Sequence, residues 1–177
     1  NAGHIAIEQI FPLPSPATLL AAPRLLLGKN APLSLRSAHA LRMTPWLLRF
    51  AWASRPATFR RGTAALAGLQ KNAVNALSAL CADAGAHGQL HRRGHLILVE
   101  DPRLEMRARK QLDTFRDHGI AAEWLSPQQV RELAPDLKEN IGAIHVRDSA
   151  HVADPLTLSA RLVDAFIRAG GKIVRDE

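Results

Sequence analysis

Eight histidines and one cysteine are the side chains in these 177 residues best suited to hold a metal or move a proton. His87, His91 and His95 recur every four positions, a spacing that lines them along one face of a helix. Gly88 and Gly94 interrupt that segment, and glycine inside a helix costs roughly 1 kcal/mol relative to alanine. On strands the same imidazoles scatter between faces and between hairpin partners. Surface or hydrogen-bonded histidines are therefore expected here, as for His145 and His151, and no metal site is expected. Asp136, Asp148 and Asp154 form no pair spaced for acid–base work, and Asp154 is accounted for as a helix cap. Cys81, in the apolar helical pattern of Leu77 and Leu80, reads as a small buried thiol. A single cysteine excludes an intrachain disulfide and a Cys-based zinc centre, and fits a reducing compartment.

Phosphate-binding patterns are missing as well. No cluster of closely spaced glycines follows a strand and opens a helix, and there is no Walker loop and no G-x-S-x-G elbow. The residues alone leave the catalytic group unknown. The formal net charge of +7 raises the question of nucleic acid, but the arginines are scattered, aromatic residues are 5 % and tyrosine is absent. A platform for stacking bases is hard to build from that set, so nucleic acid is not an expected partner. Hydrophobic residues at 47 % and charged residues at 22 % suit a folded chain with a sizeable core. Asn1 is not an initiator methionine, so the chain reads as a processed or cut piece, and Asn1-Ala2 need not be native.

The elements that would carry these residues alternate in type. Pro12, Pro14 and Pro16 favour an extended loop at the start. Ala17 to Leu27 reads as a short helix interrupted by Pro23 and ending near Gly28. Thr44-Pro45 reads as the start of the next helix, with Thr44 as N-cap. A long helix is expected from Pro56 to about Asp83, with Leu66, Leu69, Ala73, Leu77 and Leu80 on one face. Gln89–His91 and His95–Val99 read as strands joined at Arg92-Arg93-Gly94. A charged helix follows Asp101-Pro102 and stops at Gly119. Ala122–Leu125 is a strand, and Ser126-Pro127-Gln128-Gln129 is a capping box that starts another helix. Ile141–Val146 is a strand and Ala150–Val152 a turn or short strand. Asp154 caps a helix to Ala169 with a stripe of Leu158, Leu162, Ala165 and Phe166, and Lys172–Val174 begins a further strand, an order that resembles a βαβ crossover. The fold class is α/β (α+β), a mixed sheet with flanking helices. Its parts are a connecting loop at 1–16, a helical part at 17–87 and a mixed part at 88–177 that is incomplete at its end.

Several segments, taken in order, resemble one family. Asn1-Ala2-Gly3-His4-Ile5 is similar to the N-A-G-x-I loop of D-amino-acid dehydrogenases in the D-amino-acid oxidase and glycine oxidase superfamily. Gly94-His95-Leu96-Ile97-Leu98 resembles that family's G-x-L-x-L strand. Gly119 to Leu137, containing EWLSPQQVRELAPDL, resembles a recurring segment, and Gly142-Ala143-Ile144 and Ala169-Gly170-Gly171-Lys172-Ile173 resemble two more. The stretch from Phe11 to Arg61 matches least.

This resemblance implies an FAD-dependent enzyme of two domains, of which the chain is the start of the domain that roofs the flavin and holds the substrate. Its activity would be oxidative deamination of a D-amino acid to a 2-oxo acid by hydride transfer to FAD, the cofactor carrying the hard chemistry. Ala2, Gly3 and His4 would lie against the flavin, and His4, standing where close relatives carry glutamine, would also reach the substrate. The Gly-rich FAD cradle is not in these residues, so the fragment alone is expected neither to bind FAD nor to be active. Its partners would be the D-amino acid and the missing FAD-binding half of the same chain.

The apolar loop from Phe11 to Leu27 has two readings, packing on that missing half or peripheral contact with an inner membrane, and packing is preferred. A cytoplasmic location is expected, peripheral on the inner membrane under the second reading. Either way an apolar patch should be exposed and favour self-association. Two other functions stay open: a related amine oxidoreductase acting on glycine, sarcosine or a cyclic imino acid, and a cofactor-free α/β binding module.

Overall fold

The computed structural model describes residues 3–26, 37–137 and 139–174 and divides into two units, Gln9–Leu69 and Asn1–Glu8 with Gln70–Glu177. Strand β1 (His4–Ile5) belongs to the second unit. The first unit is helical. Helix α1 (Pro16–Leu26) starts where Ser15 Oγ accepts the Thr18 amide at 3.0 Å, with proline at the first helical position, where its missing N–H costs nothing. Gly28, its expected end, lies outside the described residues.

Helix α2 (Ser37–Ala53) carries Pro45 in its interior, so the helix start expected at Thr44 is wrong. A proline forfeits one backbone donor, and the Ala-, Leu- and Arg-containing turns on either side are good enough helix formers to continue across it. Helix α3 (Pro56–Gln70) follows. Inside this unit Phe11 stacks on Phe59 with ring centroids 6.3 Å apart, and Ile10 is fully buried. Buried Ser54 and Thr63 return their hydroxyls to the carbonyls of Phe50 and Phe59, which satisfies them without leaving the helix. Arg55 lies over the Trp52 ring at 3.5 Å. Leu13, Leu20, Trp46, Leu48 and Trp52 are exposed. No described helix is long and apolar enough to cross a membrane.

The long helix expected from Pro56 to Asp83 is two helices. Helix α4 (Ala73–Asp83) begins after Lys71-Asn72 and groups with the second unit. Asn72 sits outside helical geometry at φ −112° and ψ 9° and makes no side-chain cap bond to the helix it precedes. The expected continuous stripe is broken with it: Leu69 is 79 % exposed.

The second unit holds the remaining strands and helices: β2 (Leu90–His91), β3 (His95–Val99), α5 (Glu105–Asp117), β4 (Ala122–Leu125), α6 (Pro127–Leu133), β5 (Gly142–Val146), β6 (Ala150–Val152) and α7 (Pro155–Arg168). Two three-stranded antiparallel sheets result, ordered β1-β6-β2 and β3-β5-β4. Strands β2 and β3, expected to be joined as neighbours, therefore lie in different sheets. Residues 171–174 form no strand, so the expected βαβ crossover is absent among the described residues.

Capping behaves as the residue types require. Ser126 and Gln129 bond reciprocally, Asp101 accepts the Arg103 amide through a short 3-10 turn ahead of α5, and Asp154 accepts the amides of Leu156 and Thr157. One core gathers Cys81, Ala84, Ala86, Val152 and Leu158 between α4, β6 and α7. Another joins Leu125, Val130 and Ala143 beneath α6. This mixture of helices with small antiparallel sheets is the expected α/β class.

Candidate functional site

Antiparallel pairing places the site. His4 on β1 stands opposite His151 on β6, and the amide of Val152 bonds to the Gly3 carbonyl at 2.7 Å. The turn after β1 carries Glu8 inward to 5 % exposure. His95, the first residue of β3, meets both. Its ring centroid lies 4.5 Å from that of His4. Glu8 Oε1 is 3.5 Å from His4 Nε2 and 4.0 Å from His95 Nε2. The other carboxyl oxygen, Oε2, accepts a 2.6 Å hydrogen bond from the hydroxyl of fully buried Ser149, in the turn between β5 and β6. His4 Nε2 is buried and makes no hydrogen bond. Burial holds the His95 imidazole below its ordinary pKa; the Glu8 carboxyl opposes this and His4 reinforces it.

Two imidazoles and a carboxyl facing one point offer two functions. They can share and pass protons, or they can donate three ligand atoms to a cation.

Of the residues expected from sequence, Ala2 lies outside the described residues. Gly3 has a positive φ of 63°, and a Cβ there would stand 2.9 Å from the Val152 carbonyl oxygen. Its lack of a side chain is thus required by β6 within this chain. His4 is in the cluster. Glu8 and Ser149 escaped the sequence reading. Glu8 had a signal: a lone carboxylate in the otherwise apolar, proline-broken run Ile5 to Pro16. His95 was weighed as one set with His87 and His91, and the fold puts His91 and His95 in different sheets. His91 instead faces His151 across the β2–β6 pair, with ring centroids 5.3 Å apart. His145 lies 3.4 Å from Glu123. A separate cleft of about 400 Å³ is lined by Ser78, Cys81, His87, His91, Arg92 and Arg93, among others.

Comparison with known proteins gives a consistent picture. The family model described as FAD dependent oxidoreductase (DAO) matches residues 30–177. A D-amino-acid oxidase of Bradyrhizobium diazoefficiens is 25 % identical over 185 residues, covering 99 % of this chain and 42 % of that protein. A D-amino acid dehydrogenase of Helicobacter pylori is 27 % identical over 178 residues, covering 100 % of this chain and 42 % of its own length. The chain thus spans about two-fifths of these curated relatives. Among solved structures, glycine oxidase from Geobacillus kaustophilus aligns with a TM-score of 0.55 at 23 % identity, over 62 % of this chain and 31 % of that one. L-proline dehydrogenase from P. horikoshii aligns at 0.54 and 18 %, over 62 % and 29 %. These two structures share the fold.

Proposed function

The chain belongs to the FAD dependent oxidoreductase (DAO) family, and we propose that it is the substrate-facing part of a longer enzyme that deaminates D-amino acids oxidatively. The observation that supports this most is the end-to-end match to a D-amino-acid oxidase and a D-amino acid dehydrogenase, over 99 % and 100 % of the chain.

FAD in such an enzyme supplies the acceptor for the substrate's α-hydride. The described residues contain no glycine-rich cradle for its pyrophosphate, so this chain would contribute contacts rather than the main hold. One observation fits a partner at that place: the His4 side chain is 26 % exposed, so part of its ring stays open to contact. Ala2, Gly3 and His4 would form the contact segment, with the Gly3 backbone fixed by β6 and the His4 imidazole backed by Glu8.

The test is expression of the full-length protein. A yellow protein whose flavin is bleached by D-alanine and not by L-alanine supports the reading. Bleaching by glycine, sarcosine or proline instead moves it to a related amine oxidoreductase. A colourless protein, with neither dye reduction nor flavin, overturns it in favour of a binding module.

A further inference from the structure

We propose that His4, Glu8 and His95 form a binding site for one divalent transition-metal ion of the zinc class. One nitrogen from each imidazole and one carboxyl oxygen lie within 4.8 Å of one another. Two ligands on a tetrahedral zinc stand about 3.4 Å apart, given metal–ligand bonds of about 2.1 Å. The His4–Glu8 separation of 3.5 Å already meets that, and the His95–Glu8 separation of 4.0 Å needs about half an ångström of side-chain rotation.

The donor set points to a transition metal rather than calcium or magnesium. Two imidazoles with one carboxylate suit zinc or ferrous iron, whereas the hard cations prefer oxygen throughout. Such a set leaves a coordination position for water or substrate.

The surroundings are those of a built site. Ser149 fixes Glu8 Oε2 and leaves Oε1 turned toward the two imidazoles, the kind of outer-shell bond that orients a ligating carboxylate. His4 Nε2 is buried without a hydrogen bond, and Glu8 Oε1 lies 3.5 Å from it. His95, 39 % exposed, supplies the entry path. The ligands come from β1, from the turn after it and from β3, so the ion would tie the start of the chain to the second sheet.

This inference does not rest on the amino-acid reading, and one sample tests both separately. The purified full-length protein is stripped with chelator and titrated with cobalt(II), followed by displacement with zinc(II). The expected result is a saturable visible cobalt spectrum at one ion per chain, abolished by zinc. The spectrum should be lost in Glu8→Gln and His95→Gln, and Ser149→Ala should weaken affinity by about 10- to 100-fold. Circular dichroism shows whether each variant is folded. The wild-type titration decides even if one is not. Weak or substoichiometric cobalt binding to the wild type, or binding unchanged in folded His95→Gln, overturns the site. Flavin absorbance read from the same sample reports on the other proposal alone.

Discussion

Ser149 donates its hydroxyl to Glu8 Oε2 at 2.6 Å, and the two side chains are 0 % and 5 % exposed. The bond ties the segment after β1 to the turn between β5 and β6. A buried acceptor that loses its donor retains its desolvation cost, about 1–3 kcal/mol. Ser149→Ala should therefore lower unfolding free energy by about that amount in urea titration. Replacing both partners removes the orphan: Glu8→Met with Ser149→Ala should cost less than the sum of the single changes. Additive losses would show that the two groups do not interact.

Gly142 opens β5 beneath Trp124 of β4. Its φ is 149°, and a Cβ would run into the Trp124 ring and stand 2.8 Å from the Leu125 carbonyl oxygen. Neither the ring nor the strand backbone can withdraw without disturbing the β4–β5 ladder. Gly142→Ala should destabilise by about 1–3 kcal/mol or more. Gly68, in α3, has open space around the same position, so Gly68→Ala should be neutral or stabilise by up to about 1 kcal/mol. Urea midpoints of the two variants that move together would refute the packing account.

Local chemistry made much of this architecture readable from sequence. Ser126 with Gln129, and Asp154 with Leu156 and Thr157, satisfy helix amides only a few residues away, so their residue types alone place the helix starts. Tertiary choices were not readable in that way. Whether β2 pairs with β3 or with β6 depends on a partner some sixty residues downstream, and His95 joins His4 only through that choice. Pro45 misled for the opposite reason: a proline's local preference for a helix start yielded to the turns around it. Of the candidate site, His4 was legible through a motif. Glu8 and Ser149, 141 positions apart, have no local pattern that joins them.

Leu158, 6 % exposed, projects from α7 into the cluster containing Cys81, itself 1 % exposed. Truncating a buried leucine to alanine removes transfer energy and leaves a cavity, together about 2–5 kcal/mol. Leu158→Ala should show that loss in denaturant. It should also speed labelling of Cys81, the sole cysteine, since Leu158 helps to bury the thiol. Unchanged labelling with lowered stability would mean that Cys81 opens by a route not involving α7.

Asp154 supplies the pH dependence. Its carboxyl is held below its ordinary pKa first by the Thr157 hydroxyl, then by the amides of Thr157 and Leu156. The folded state thus prefers the ionised form more than the unfolded chain does. The stability this gives is complete above the unfolded carboxyl value of 3.8 and is lost as pH falls through the lower folded value. Asparagine caps helices nearly as well as aspartate but does not titrate, and it lacks the charge that favours a helix N-terminus. Asp154→Asn should therefore unfold at a lower temperature than the wild type at pH 7. The two midpoints should converge as samples are acidified below about pH 4. The contrast appears only in this paired comparison, because the other carboxyl groups titrate identically in both proteins. A gap that stays constant down to pH 2, or that widens, would mean that the cap acts through shape alone and that the Asp154 charge plays no part.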